Sequence, residues 1–259
     1  LGTTGKVQTG WIKVNNVWYY ADAESENKGL LVEESWMEED GTTYYLDNTG
    51  AMVTGWQVID GNDYYFAASG AMVTNAWVGS YYLGEDGVMV TNAWVDDGKS
   101  YVGEDGKYAT GWLKLDESWY YLGINGVKVI GWQKAGSTWY YLNENADGAM
   151  AEDGFYTIDG EIYLFNESGA MLTGWQLVDG EWFYFSANGA AYNGWLKSGA
   201  NWYYLEDGWM FSNGIFYIES DNSFAEFDAS GAWVQYVEVE VEELISFSDK
   251  KITKTFSIK

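Results

Sequence analysis

Histidine, cysteine, proline and arginine are all absent from the 259 residues, and the 13 basic residues, every one a lysine, face 39 aspartates and glutamates. Without histidine and cysteine there are no disulfides, no thiol nucleophile, no Ser-His triad and no usual zinc or copper ligand set. The formal charge of −26 opposes nucleic acid and anionic lipid as partners, because neutralising phosphates takes clustered lysine or arginine. No run of 18 apolar residues occurs, so no membrane-inserted helix is expected. The N-terminus lacks the basic start and short apolar core of a secretory signal. The chain is therefore expected to be a piece of a longer protein.

What is abundant is aromatic: 16 Trp, 22 Tyr and 11 Phe, punctuated by 32 Gly. The glycines recur from Gly5 through Gly29, Gly50 and Gly70 to Gly231 at intervals of 17 to 24 residues, each heading a segment of the type G-A-M-V-T-G-W. After each GW come a short stretch, a turn and an aromatic run, as in GWQLVDGEWFYF (174–185) and GWLKLDESWYYL (111–122). Asp-Gly pairs at Asp40-Gly41, Asp60-Gly61, Asp97-Gly98, Asp159-Gly160 and Asp179-Gly180 suit type I′ turns, whose two central residues need positive φ. Each unit thus reads as one β-hairpin followed by a glycine loop. A lone hairpin is marginal in water, so the units must stack and share a core. The expected fold is all-β: a β-solenoid of about eleven stacked ~20-residue hairpin repeats over residues 1–233.

These residues carry a resemblance to the tandem cell-wall-binding repeats of bacterial surface proteins, in particular the choline-binding modules of cell-wall hydrolases and the related glucan-binding repeats of glucansucrases. It runs from about Gly5 to Trp233. The resemblance implies a choline site between consecutive hairpins, made by the GW Trp, the Trp of W-Y-Y and the second Tyr of the following unit, with a Met after the loop glycine closing it. A quaternary ammonium is held over ring faces, each desolvated contact contributing roughly 0.5 to 2 kcal/mol.

Carried over residue by residue, the resemblance gives five sites. Trp112, Trp119 and Tyr141 form one, with Lys128 in the Met position; Trp175, Trp182 and Tyr204 form another, with Ala191 there. Trp132 and Trp139 have Met150 but Leu164 as third member, and Trp195 and Trp202 have Met210 with the third position near Glu226. Trp11 and Trp18 have Tyr45 across the wall and Leu31 as closure. From Trp36 to Tyr101 the second Trp is replaced by Thr43, Asp63, Ser80 and Ser100. The first tyrosines of the pairs, such as Tyr19, Tyr44, Tyr64 and Tyr203, are expected to pack rather than to meet ligand.

The implied function is non-catalytic anchoring at the bacterial cell surface, outside the cell, through choline of teichoic acids and without a cofactor or metal. Two alternatives stay open: a carbohydrate-binding module for glucan, since aromatic platforms also stack on sugar rings, and a structural or self-associating surface protein. Glycosidase chemistry needs two carboxylates flanking a sugar bond; the acids available, such as Asp96, Asp97, Glu104 and Asp105, fall in turns where solvation explains them. Residues 234–259 depart from the repeat. Val237, Val239 and Val241 alternate with Glu238, Glu240 and Glu242, and the Lys-bearing segment after Asp249 suits a partner strand, so a capping hairpin or an adhesive edge for another chain is expected there.

Overall fold

The structure, a computed structural model, describes residues 6–23 and 26–238. The chain divides into two compact units, one comprising the residues up to Leu113 with Tyr121–Lys128, the other Lys114–Tyr120 with the residues from Val129 onward. In the first unit, antiparallel strands pair as Gly10–Val14 with Val17–Ala21, Ser35–Glu39 with Thr42–Leu46, Gly55–Ile59 with Asn62–Phe66, Ala76–Val78 with Tyr81–Leu83, and Ala93–Val95 with Ser100–Val102. In the second, Gly131–Ala135 pairs with Thr138–Asn143, Gly154–Ile158 with Glu161–Phe165, Gly174–Val178 with Glu181–Phe185, Gly194–Ser198 with Asn201–Glu206, and Gly214–Ile218 with Ser223–Phe227. Strands Gly111–Leu115 and Ser118–Leu122 contribute residues to both units. Helix is confined, among the described residues, to the single turns Glu144–Ala146 and Glu219–Asp221. No helix among them is long and apolar enough to cross a membrane.

Turn chemistry sets the register. Asp40-Gly41, Asp60-Gly61, Asp159-Gly160 and Asp179-Gly180 all take positive φ and close two-residue loops, for example with Val178 opposite Glu181. Asn15-Asn16 does the same without glycine. Asp97-Gly98 also has positive φ, but it sits inside a longer loop between Val95 and Ser100. Asn75 and Asn92, each just before the Ala that takes the register place of the GW glycine, adopt φ of 46° and 48°, as their short polar side chains permit.

The residue of each second strand that pairs with the first residue of its hairpin lies on the inner face and builds the core: Leu46, Phe66, Leu83, Val102, Leu142, Phe185 and Leu205 are all fully buried. That same strand receives a rung from the loop after its own hairpin and another from the loop after the next. Ala21 bridges Leu31 while Tyr19 bridges Ala51, and Phe66 bridges Met72 while Tyr64 bridges Val88. Consecutive hairpins within a unit are thereby tied by backbone hydrogen bonds such as Met52 N–H to Trp18 O at 2.8 Å.

The loop methionines complete this packing. A Cβ placed on Gly169 would lie 2.4 Å from the Met150 sulfur, and one on Gly231 would lie 2.5 Å from that of Met210. Those glycines are needed both for positive φ and for the thioether that fills the space. From Trp233 the chain pairs with the preceding hairpin: strand Trp233–Val237 pairs with Ser223–Phe227, with a bulge at Glu226/Phe227. The expected alternation at Val239 and Val241, and the Lys-bearing partner strand, lie outside the described residues.

Candidate functional site

Three aromatic clusters share one geometry. In the 10–21 hairpin Trp11 stands directly across from Tyr20, with Trp18 edge-on at 6.4 Å and 84°. Trp132 and Trp139 meet at 6.4 Å and 90°, and Trp175 and Trp182 at 6.2 Å and 87°. A third ring comes from the following hairpin: Tyr44 at 4.9 Å from Trp11, Tyr163 at 4.8 Å from Trp132 and Tyr203 at 5.2 Å from Trp175. Two of the rings are therefore near-perpendicular walls and the third belongs to the neighbour.

This third ring is a tyrosine one residue before the expected position, the first of the pair in Tyr44-Tyr45 and Tyr203-Tyr204 and the residue before Leu164 in the third. Tyr45 stands 5.1 Å from Trp36, Tyr141 5.2 Å from Trp132 and Tyr204 5.2 Å from Trp195, each beside the Trp of its own hairpin. Strand alternation is the reason. The first Tyr shares a face with the buried fourth residue, and that inner face is the one turned to the preceding hairpin. The apolar residue that follows every Tyr pair carries this signal in the sequence. Likewise Tyr163, not Leu164, faces Trp132; Leu164 is buried in a cluster with Phe155, Phe183 and Phe185.

Trp112 lies 5.0 Å from Tyr121 in the first unit, whereas Trp119, with Lys114 Nζ 5.9 Å from its ring, and Tyr141 belong to the second. Lys128 is placed over Trp94, with Nζ 4.7 Å from the ring centroid. Met150 and Met210, expected as cage closures, are 9% and 4% exposed beneath the neighbouring loop glycines, so packing is what they do here. Ala191 is buried with Phe183 and Phe185 rather than leaving a gap, and Leu31 is exposed and bridged to Ala21.

In four of the pairs the second Trp is the exposed wall: Trp18, Trp139, Trp182 and Trp202 show 39–43% of their surface, whereas Trp119 is half-buried. Lysines sit across the strand from three of them, with Nζ 5.2 Å from Trp18, 5.5 Å from Trp139 and 5.7 Å from Trp202. Opposite Trp182 stands Leu177. The indole N–H of the first Trp is oriented from the next hairpin: Trp11 donates to Glu39, Trp175 to Ser198 Oγ at 3.4 Å and Trp195 to Asp221 Oδ2 at 2.9 Å. A carboxylate thus meets the indole of Trp11 and that of Trp195, and a neutral hydroxyl that of Trp175.

Around Trp195 the arrangement differs. Glu226 hydrogen-bonds Gln235 on the exposed side, and besides Tyr204 of its own hairpin the rings meeting Trp195 are Phe227, stacked at 5.8 Å, Trp233 at 6.1 Å and Tyr236 at 6.4 Å. Asp221 accepts from Trp195, from Tyr236 Oη at 2.5 Å and from Ser220 Oγ at 2.8 Å. Its hydrogen bonds, Tyr236 foremost, hold its carboxyl below the usual range, and the same bond to Asp221, with burial, raises the Tyr236 phenol. Burial, followed by nearby acids, also raises Tyr45, Tyr141 and Tyr163. A separate cavity of about 940 Å³ lies along the 154–165 and 174–185 hairpins. Phe155 in its wall is buried, so that cavity has no exposed ring face like those of the Trp pairs.

Comparison with known proteins matches this architecture to choline-binding repeats. Models described as choline-binding repeat cover residues 34–77, 71–108, 109–155, 129–173 and 172–214, and one described as a cell wall binding repeat covers 9–24. The search of curated proteins returned no match. Among solved structures, CbpJ from Streptococcus pneumoniae TIGR4 is 27% identical over 86% of this chain and 93% of its own, with a TM-score of 0.55. The choline-binding domain of CbpL from Streptococcus pneumoniae is 28% identical over 74% of this chain and 100% of its own, with a TM-score of 0.57. Choline binding protein F of the same species, solved with a peptidoglycan analogue, is 26% identical over 90% of this chain and 95% of its own, with a TM-score of 0.51. The chain belongs to the choline-binding repeat family.

Proposed function

We propose that the chain is a non-catalytic anchoring module that holds a protein at a bacterial cell surface by caging choline of teichoic acids. One observation carries this reading: the same three-ring arrangement recurs at Trp11/Trp18/Tyr44, Trp132/Trp139/Tyr163 and Trp175/Trp182/Tyr203. Edge-on packing leaves ring faces to surround an ammonium, and three contacts at roughly 0.5 to 2 kcal/mol each reach at most about 6 kcal/mol, which is enough for binding in the millimolar range. Acids at Glu39 and Asp221, and the charge of −26 overall, favour a cation. Within each unit the hairpins stack as turns of a β-solenoid, which is what repeats the cage.

Glucan binding is the second reading, and the exposed lone rings favour it: Trp36 and Trp56 show 38% and 40% of their surface without a second Trp beside them. Calorimetry with choline and with soluble glucan decides between the two. Choline is expected to release heat and to raise the melting temperature, since it binds only the folded chain. Trp175→Ala with Trp182→Ala should remove one bound equivalent and leave the rest. Silence with choline and heat with glucan would replace the first reading by the second.

A further inference from the structure

The last hairpin breaks the rule that supplies the third ring. In its second strand, Ser223–Phe227, the residue equivalent to Tyr44 and Tyr203 is Ala225, too small to reach Trp195. The terminal strand fills the place. Tyr236 is the register partner of Ala225, so its ring stands beside the position a first tyrosine takes elsewhere, and Trp233 lies 5.5 Å from it. The result is a cavity of about 320 Å³ lined by Trp195, Trp202, Trp233, Tyr236 and Asp221, within the roughly 300–1,000 Å³ of small-molecule sites.

Asp221 is there because this hairpin turns differently. Four residues, Glu219 to Asn222, connect Ile218 to Ser223 where most repeats use two, and Asn222 closes the turn with φ of 50°. The longer turn carries the carboxylate to Trp195 and Tyr236. An ionised carboxylate offers about four acceptor positions, and Trp195, Tyr236 and Ser220 occupy three. One position and the full negative charge remain. Trp233 adds a buried indole N–H with no hydrogen-bond partner among the described residues.

We propose that Trp195, Trp202, Trp233 and Tyr236, with Asp221, form a further ammonium site, completed by the terminal strand and suited to an ammonium that carries an N–H as well as to choline. This rests on the reading that the repeat cages bind choline. Compared with the Trp175 cage, whose indole is met by a neutral serine, the terminal cage has both an acceptor for the N–H and a charge of opposite sign. A dimethylammonium group fits that chemistry; at the Trp175 cage its N–H would be left against ring faces.

The test is calorimetry on the full chain with three probes: choline, N,N-dimethylethanolamine and the uncharged isostere 3,3-dimethylbutan-1-ol. Tyr236→Ala should lose one choline equivalent while the remaining sites still bind, which also reports that the variant is folded. Asp221→Asn keeps an acceptor for Trp195 and Tyr236. It should weaken dimethylethanolamine at one site by about tenfold, weaken choline less and leave the isostere unchanged. A parent chain that binds no choline overturns the anchoring reading and this site with it. A parent that binds, with Tyr236→Ala retaining every equivalent, overturns the terminal site alone. Equal losses for charged and uncharged probes in Asp221→Asn make Asp221 a packing residue and remove its role in selection.

Discussion

Two parts of the first unit share a hairpin backbone and differ in whether a second Trp stands beside the first. In the 10–21 hairpin Trp18 stands edge-on to Trp11, and Trp11 is shielded; in the 35–46 and 55–66 hairpins Thr43 and Asp63 take the place of Trp18, and Trp36 and Trp56 are exposed. The contact to the next hairpin is unchanged: Trp36 meets Tyr64 at 4.9 Å and Trp56 meets Tyr81 at 5.2 Å, as Trp11 meets Tyr44. Stacking of repeats therefore depends on the first Trp and the first Tyr. The second Trp is an added wall, which the fold does without wherever Thr43 or Asp63 stands.

The sharpest way to break this comparison is to remove each kind of Trp in turn. Trp132 packs against Tyr141, Tyr163 and Phe165 at 4.8–5.9 Å, so Trp132→Ala should cost about 3 kcal/mol, the low end for a large aromatic because the ring is only half-buried. Trp182→Ala, which removes the 43% exposed wall, should cost about 1 kcal/mol and still abolish binding at its cage. Urea titrations of both variants check this. Equal costs would mean that both rings are structural.

A gain of function sharpens it further. Asp63 faces Val58 across the strand as Trp182 faces Leu177, so Asp63→Trp rebuilds the Trp175/Trp182 register around Trp56 and Tyr81. One additional choline equivalent is expected by calorimetry, with the Trp56 face newly shielded. If the stoichiometry does not rise, the missing Trp is not what keeps these hairpins from binding choline.

The hairpins, their turns and the repeat period were legible because each rests on local chemistry: Asp-Gly at a two-residue loop, glycine at positive φ, an aromatic run in alternation. The aromatic clusters were half legible. Trp11, Trp132 and Trp175 with their partners Trp18, Trp139 and Trp182 stand together as the motif implies, but the third ring depends on which strand face meets the previous hairpin, and the choice between Tyr44 and Tyr45 is a one-residue difference in alternation. Asp221, Trp233 and Tyr236 were not legible at all. They come together through a lengthened turn and a strand pairing that crosses the expected end of the repeats at Trp233, and neither follows from the repeat period.

The smallest expected effect concerns the loops that carry the rungs. Asp47 Oδ1 accepts from Thr49 N–H, Thr49 Oγ and Ala51 N–H, and Asp228 makes the same three bonds with Ser230 and Ala232. Asn166 makes them with Ser168 and Ala170 without a charge. At Asp228 the bonds from Ser230, opposed by burial, lower the carboxyl pKa; at Asp47 burial opposes and the bonds from Thr49 and Ala51 prevail, so it too is lowered from 3.8. A lowered folded-state value means that the ionised form is favoured in the fold. This contribution is fully present above the unfolded value of 3.8 and disappears as pH falls through the lower folded value. The neutral loop at Asn166 has no such dependence. Converting Asp47 and Asp228 to Asn should therefore lower the melting temperature slightly near neutral pH and by less as the pH falls below 3.8, so that the two curves draw together there. Thermal unfolding of parent and double variant from about pH 5 to about pH 2 measures it. A gap that stays constant across that window would show that geometry alone, and not charge, holds these loops.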